Sequence, residues 1–270
     1  MVINIQDKQS QHKAMSAWDD ILVIDDQLSS EEKILKSSVR SYCQEKLLPR
    51  IIDDNRNENF SKEIFSEMGE LGILGSYLHG YGCAGTNYVS YGLIAREIEN
   101  IDSAYRSIMS VQTSLVMFPI YQFGTDAQKE EYLPRLAKGE IIGSFGLTEP
   151  DAGSDPGAMK TKAIKVKGGY ELTGTKTWIS NAPFADVIIV WAKDEDNVIR
   201  GFIVDRESKG LSTPKIEGKL SLRASATGQV VMENVFCSED KVLPKASGLG
   251  GPFQCSVSYT HLRAHETQTH

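Results

Sequence analysis

Apolar residues recur every three or four positions through the first half of the chain, which is the spacing that buries one face of an α-helix. The first predicted helix follows Ser29, because a serine with a glutamate three residues later, Glu32, forms a capping box. Pro49 is predicted to end this helix, since proline and its preceding residue disfavour helical backbone. The buried stripe of this helix is predicted to contain Leu35, Val39, Tyr42, Cys43 and Leu47.

The same spacing predicts four more helices, at about residues 61–72, 87–100, 103–117 and 126–137. The first of these four is predicted to bury Ile64, Phe65, Met68 and Leu71, and the next is predicted to bury Tyr91, Ile94, Ala95 and Ile98. Residues 1–140 are therefore expected to form a helical bundle.

After residue 140 the apolar period changes from about 3.6 to 2, which is typical of β-strands. Residues 162–167 and 170–172 predict a hairpin around Gly168 and Gly169, and further strands are predicted at 175–180, 186–193, 199–205 and 229–235. Short loops between these strands favour antiparallel neighbours in a small barrel or two packed sheets. The predicted fold class is therefore α+β, with a β domain over residues 141–245.

Composition narrows the classes of function. The chain has 270 residues, 40% hydrophobic and 24% charged, and its formal charge of −7 disfavours nucleic acid as a partner. The longest purely apolar run, residues 187–192, is too short to span a membrane. Residues 1–17 lack the features of a signal peptide or a convincing mitochondrial presequence, so we expect a bacterial cytoplasm rather than a mitochondrial matrix.

Four cysteines lie far apart without a CxxC pair, which favours reduced thiols over disulfides or a zinc site. Cys83 has only His79 near it in sequence, so a catalytic thiol is disfavoured. We expect no metal site.

Residues 256–270 depart from the rest of the sequence. They contain three of the five histidines and no apolar period, and they resemble a translated sequencing adapter. We therefore expect a non-native tail after residue 255, with residues 246–255 forming the start of a further region. A histidine-rich metal-binding tail is the alternative interpretation.

Three segments have residue types that suit ligand binding. Residues 145–156 are dense in glycine, serine and threonine, which exposes amides and hydroxyls to a flat polar ligand or a phosphate, although an ordinary interdomain turn fits equally well. Trp178, flanked by hydroxyl residues on a strand, could stack on an aromatic ring, although a core tryptophan is the simpler interpretation. Arg106 could bind a carboxylate with Ser107, although an ion pair with Asp102 one helical turn away is the default.

At this spacing, the pair of segments 145–156 and 175–181 resembles the acyl-CoA dehydrogenase family, and within it the glutaryl-CoA dehydrogenases. The resemblance runs from Trp18 to about Phe253 and includes the segments 42–45, 55–58, 80–85 and 220–228. The segments 105–107 and 110–112 match the part of the subfamily that lines the acyl pocket.

The resemblance implies an FAD enzyme that oxidises glutaryl-CoA and releases CO2 to give crotonyl-CoA, with an electron-transfer flavoprotein as acceptor and a homotetrameric assembly. Arg106 and Ser107 would bind the distal carboxylate, and Ser154 would lie near both the flavin and the CoA chain. The residues implied in FAD binding are Phe145, Gly146, Leu147, Thr148, Ser154, Trp178, Ile179 and Ser180.

The family's catalytic base is a glutamate in a C-terminal four-helix domain, and no position of this sequence matches that segment. We therefore expect that domain to be missing, no catalytic residue in this chain, and an inactive chain that binds FAD weakly by itself. Glu149 matches a different motif and is not a candidate base. The rival interpretations are a dehydrogenase or oxidase for another acyl-CoA, and a catalytically empty binding module.

Overall fold

The computed structural model describes residues 23–260, which begin with a helical region and continue into a curled mixed sheet. The α-helices are α1 (Ile24–Gln27), α2 (Ser30–Tyr42), α3 (Leu48–Asn57), α4 (Glu63–Glu70), α5 (Tyr88–Glu99), α6 (Ser103–Ser110), α7 (Phe118–Phe123), α8 (Asp126–Ala137) and α9 (Gly250–Thr260). Two π-helical turns, Cys43–Leu47 and Val111–Met117, join α2 to α3 and α6 to α7.

The predicted capping box at the start of α2 is confirmed, because Ser29 and Glu32 exchange hydrogen bonds between side chain and backbone. The prediction that Pro49 ends this helix is wrong. The π-helical turn Cys43–Leu47 comes first, and Pro49 then occupies the first turn of α3, where its missing N–H costs nothing. Helical backbone therefore continues to Asn57.

The other predicted helices are present, with differences at their ends. Leu71 was expected in the core but lies just after α4 and is exposed. The helix predicted over 103–117 is regular only to Ser110, where the second π-helical turn begins. The apolar stripes of α2 and α5 are buried as predicted, except that Leu35 is only partly buried.

The strands are β1 (Gly143–Gly146), β2 (Lys162–Val166), β3 (Gly169–Ser180), β4 (Val187–Lys193), β5 (Ile199–Asp205), β6 (Leu211–Ser212) and β7 (Thr227–Ser238). They form one sheet in the order β1-β4-β2-β3-β7-β6, with β5 also paired to β4. The two segments predicted separately at 170–172 and 175–180 are one long strand, β3.

The α+β class is confirmed, but not every strand pair is antiparallel as expected. β1 pairs with β4 in parallel, with Gly143 opposite Val187, and β2 meets β4 in parallel at Lys162 and Lys193. β1 was not predicted, because its sequence Gly-Ser-Phe-Gly has little intrinsic strand propensity. β1 also packs against the second π-helical turn, since a Cβ on Gly143 would lie 2.4 Å from Val116.

One apolar core runs from the helices into the sheet, and it includes the fully buried Trp191 of β4. A second core lies within the sheet itself. Helix α9 continues through Ser256 to Thr260, so the backbone shows no break where the foreign tail was expected to begin. Residues 261–270 lie outside the described residues. Within residues 23–260, no helix is long and apolar enough to cross a membrane.

Candidate functional site

A cleft of about 240 Å³ lies where the second π-helical turn, the end of β1 and the end of β3 meet. Six of the residues proposed for FAD binding share its wall, although they come from segments about thirty residues apart in sequence. The lining residues are Val111, Leu115, Phe145, Leu147, Thr148, Trp178, Ile179, Ser180 and Ser256. The wall is mainly apolar, with threonine and serine hydroxyls at its edge.

Trp178 lies in an irregular part of β3. The pairing of β3 with β7 shifts register between Lys176 and Ile179, and Trp178 has a φ of 58° in the left-handed region. Bulky residues rarely adopt that conformation, and 62% of the Trp178 surface is exposed. The core tryptophan of this sheet is Trp191 instead, so the simpler interpretation of Trp178 does not hold.

The loop after β1 is fastened to β3 by backbone and side-chain hydrogen bonds. The Thr177 N–H donates to the Thr148 carbonyl at 2.9 Å, next to the irregularity at Trp178. Behind it, the Lys176 ammonium donates to the Leu147 carbonyl at 3.2 Å and to Glu149 at 2.8 Å. The polar loop and the strand therefore form one wall of the cleft.

The carboxylate of Glu149 is occupied by hydrogen bonds and is not available for proton transfer. Its carboxylate accepts hydrogen bonds from the Lys160 N–H, from the Thr161 N–H and hydroxyl, and from Lys176. Burial by itself would raise the pKa of Glu149, but these hydrogen bonds and the adjacent ammonium lower that pKa below its usual value. A carboxylate held ionised by four donors is a structural anchor.

Gln112 connects the helical wall to the start of β1. Its side-chain amide donates to the carbonyls of Leu136 and Ile141 at 3.1 and 2.9 Å, and its carbonyl oxygen accepts the Gly143 N–H at 2.8 Å. The Gly143 carbonyl in turn accepts from Asn181 at 3.1 Å. Gly143 therefore connects the helical side of the cleft to the residue that follows β3.

Arg106 and Ser107 do not line this cleft. Arg106 lies on α6 and pairs with Glu99, the last residue of α5, at 2.6 Å, rather than with Asp102 as the helical spacing suggested. Asp102 instead caps α6 by accepting the Ala104 N–H. Ser107 is buried, and the side chain of Arg106 is only 15% exposed.

The other proposed flavin residues lie close to the cleft in the chain. Gly146 ends β1, and a Cβ there would lie 3.3 Å from the side chain of Lys176. Ser154 is exposed in the loop that follows β1. Val111 belongs to segment 110–112, which the resemblance implied for the acyl pocket, and it lines this cleft. The sequence analysis missed Leu115 and Ser256 as lining residues, because a long apolar helix such as the one predicted at 103–117 gives no signal for which side chains face a cleft.

A second pocket, of about 480 Å³, lies at the other end of the loop that follows β1. Three lysines line it with two acids, but Lys160 is paired with Asp151 and Asp194 is paired with Arg200. Among the remaining lining residues, the two positive charges of Lys162 and Lys193 are opposed only by the negative charge of Glu195. The remaining lining residues are Met159, Ile164 and Asn197.

The four cysteines all lie within the described residues and are free thiols. Burial raises the pKa of Cys83 to about 11, which keeps it protonated at neutral pH and agrees with the rejection of a catalytic thiol. Across residues 23–260, no group of three or more histidine, cysteine or acidic side chains could hold a metal ion.

Comparisons with known proteins identify both regions of the chain. Residues 29–140 match the N-terminal domain of acyl-CoA dehydrogenases, and residues 144–235 match the middle domain. The structure is similar to a glutaryl-CoA dehydrogenase from Mycobacterium smegmatis in complex with FADH2, with a TM-score of 0.88 and 44% identity over 90% of this chain and 62% of that one.

Curated relatives include a short-chain-specific acyl-CoA dehydrogenase from Clostridium acetobutylicum, 34% identical over 85% of this chain and 62% of the relative. A mitochondrial isovaleryl-CoA dehydrogenase from Pongo abelii is 36% identical over 90% of this chain and 66% of the relative. The chain thus spans about 60% of the length of the relatives that it matches. On these matches, the chain belongs to the acyl-CoA dehydrogenase family.

Proposed function

We propose that this chain forms the FAD- and acyl-CoA-binding part of a dehydrogenase that oxidises glutaryl-CoA to crotonyl-CoA and CO2. The observation that carries the proposal is the cleft in which Phe145, Leu147, Thr148, Trp178 and Ser180 come together. The similarity to a glutaryl-CoA dehydrogenase at 44% identity supports the choice of substrate.

The cleft suits the flat ring system of FAD. The exposed indole of Trp178 would be covered by an aromatic ring, and burying that apolar surface would stabilise the complex. Thr148 and Ser180 offer hydroxyls to the polar edge of the ring. When bound, FAD would accept the two electrons that leave the substrate as a Cα–Cβ single bond becomes a double bond.

The first test of this proposal is the loss of the Trp178 ring. We expect Trp178→Ala to weaken FAD binding by about tenfold, because aromatic stacking contributes about 0.5–1.5 kcal/mol beyond the area it buries. FAD affinity is measured by titration while following flavin fluorescence. Phe236→Ala is the control, since Phe236 is an exposed aromatic on β7 outside the cleft, at 51% exposure against 62% for Trp178. Equal FAD affinities for the two variants would contradict the stacking role.

The CoA portion of the substrate needs a site for its phosphates. Thr148 lines the cleft, and Lys160 lines the second pocket, which we call the lysine pocket because Lys160, Lys162 and Lys193 line it. The loop between Thr148 and Lys160 therefore runs from the cleft to the lysine pocket, with Ser154 exposed along it. A phosphate-bearing chain that follows this loop would place its charge near Lys162 and Lys193. We assign the lysine pocket to the phosphates of CoA.

Removing both lysine charges should weaken CoA binding but leave FAD binding intact. For the double variant Lys162→Ala/Lys193→Ala, we expect about a tenfold loss of CoA affinity at low salt and a smaller loss at high salt, because salt screens exposed charges. Calorimetric titration with CoA measures the affinity of each variant at low and at high salt. The double variant Lys165→Ala/Lys167→Ala removes two charges from the neighbouring hairpin as a control. An identical salt dependence in both double variants would refute the phosphate assignment.

The glutaryl specificity depends on Arg106. Its side chain is only 15% exposed, and its pairing with Glu99 orients the guanidinium, which suits the recognition of a carboxylate at the end of an acyl chain. Ser107, the next residue, would add a hydroxyl donor. In the nearest alternative, an enzyme for a monocarboxylic acyl-CoA, the Arg106 charge would serve only its ion pair with Glu99.

The α-proton of the substrate needs an acceptor that the cleft does not provide. None of the described residues lining the cleft carries a carboxylate, and Glu149 is fully engaged behind it. We propose that the base is a glutamate outside the segments described, as the family resemblance implies. The electron-transfer flavoprotein as acceptor, the homotetramer and the bacterial cytoplasm are part of the same proposal.

A further inference from the structure

A fully buried ammonium lies directly behind the cleft. The side chain of Lys176 has 0% exposure, yet lysine is among the residues least often buried completely. Replacing a buried ion pair by apolar side chains of similar volume often leaves a protein equally stable or more stable. Stability alone therefore gives no reason for a lysine at this position.

The partners of this ammonium tie together three stretches of chain. Lys176 in β3 donates to the Leu147 carbonyl and to Glu149, both in the loop after β1. Glu149 also accepts from the backbone N–H groups of Lys160 and Thr161, at the far end of the same loop. The ion pair therefore closes the loop onto the strand.

The groups held in this way are those that face the cleft. Leu147 and Thr148 line it, and Thr148 accepts the Thr177 N–H immediately before the irregularity at Trp178. Lys176 is two residues from Trp178, and Glu149 is one residue from Thr148. A shift at the ion pair would therefore reach both the Leu147–Thr148 segment and Trp178 through very short covalent connections.

We propose that the Lys176–Glu149 pair is a positioning unit that sets the spacing between the Leu147–Thr148 segment and Trp178 for the flavin ring. This inference rests on the proposed FAD function. Neither side chain lines the cleft, so the pair acts through the backbone that it holds. Its role is separate from proton transfer.

The test compares the double variant Lys176→Met/Glu149→Gln with the unaltered full chain. Both replacements keep the approximate volume and remove both charges, but the Leu147 carbonyl and one of the N–H groups bound by Glu149 lose their partner. We therefore expect the melting temperature to fall by about 6–18 °C, and exchange and FAD affinity are compared at a temperature where both proteins are folded. In the flavin-free protein, the amide of Thr177 should exchange with solvent about tenfold faster. FAD affinity should fall about tenfold, with a changed shape of the visible flavin band.

The double variant Arg40→Met/Glu97→Gln is the control, because Arg40 and buried Glu97 form an ion pair between α2 and α5, neither of which lines the cleft. Glu149→Gln alone is measured in parallel, in case the double variant fails to fold. Unchanged Thr177 exchange and an unchanged flavin band would overturn the positioning role. An equal loss of FAD affinity in the control double variant would also overturn the positioning role. If the unaltered chain binds no FAD, the proposed function fails, whereas the flavin-free exchange still tests the ion pair.

Discussion

In the full-length enzyme, Arg106→Ala should lower kcat/KM for glutaryl-CoA by about 10²–10³-fold, because truncating one partner of a desolvated charge pair costs about 2–5 kcal/mol. The side chain is only 15% exposed, so a substrate carboxylate that pairs with it would be largely shielded from water. Butyryl-CoA has no distal carboxylate, and its kcat/KM should change by less than about threefold. Steady-state assays with both substrates measure this selectivity.

Two further variants distinguish a loss of substrate specificity from a general loss of activity. Glu99→Gln keeps the shape of the partner but removes its charge, so Arg106 loses its orientation and the glutaryl-CoA preference should fall partway. Arg96→Ala removes an exposed arginine from the same helix as Glu99 and should leave both substrates unaffected. If Arg106→Ala lowered the rates for glutaryl-CoA and butyryl-CoA equally, the monocarboxylic alternative would be the better description.

Helices and strands could be predicted from the sequence where both their ends and their apolar spacing are marked by neighbouring residues. Helix α8 begins after Thr125, which forms a capping box with Gln128, and its predicted bounds agree with the structure. Strand β5, over Ile199–Asp205, agrees as well. The two π-helical turns were missed because one extra residue in a helical turn hardly disturbs an apolar spacing of three and four.

Features that depend on distant partners could not be predicted from local pattern. β1 exists because Gly143 and its neighbours pair in parallel with β4, more than forty residues later. The Arg106 ion pair with Asp102 was expected from their helical spacing, but Asp102 is the N-cap of α6 and its carboxylate accepts the Ala104 N–H instead. The break between α5 and α6 allows Glu99 to reach Arg106.

The proposed flavin residues came from the family resemblance, since composition left a turn and a core tryptophan as good alternatives. The structure brings six of them to one cleft but leaves Ser154 exposed on its loop. The ion pair of Lys176 with Glu149 had no signal in the sequence, because the two residues are 27 positions apart. Long-range polar contacts of this kind depend on the tertiary fold and leave no local pattern in the sequence.

Replacing Gln112 with methionine should lower the free energy of unfolding by about 2–6 kcal/mol. Methionine fills a similar volume, but the Ile141 carbonyl and the Gly143 N–H lose the partner that Gln112 provides, and each buried unpaired group costs about 1–3 kcal/mol. The Leu136 carbonyl keeps the Gly139 N–H as a partner and adds little to the cost. Thermal unfolding should show a melting temperature lower by about 3 °C for each kcal/mol.

The same variant should also weaken FAD binding, because Gly143 is the point at which Gln112 and Asn181 hold the walls of the cleft together. β1 has little freedom to move elsewhere, since a Cβ on Gly143 would lie 2.4 Å from Val116. Gln122→Met, at an exposed position of α7, is the matched control and should change stability by less than about 0.5 kcal/mol. Equal melting temperatures for the two variants would show that β1 is anchored by its pairing with β4 alone, with Gln112 contributing nothing to the shape of the cleft.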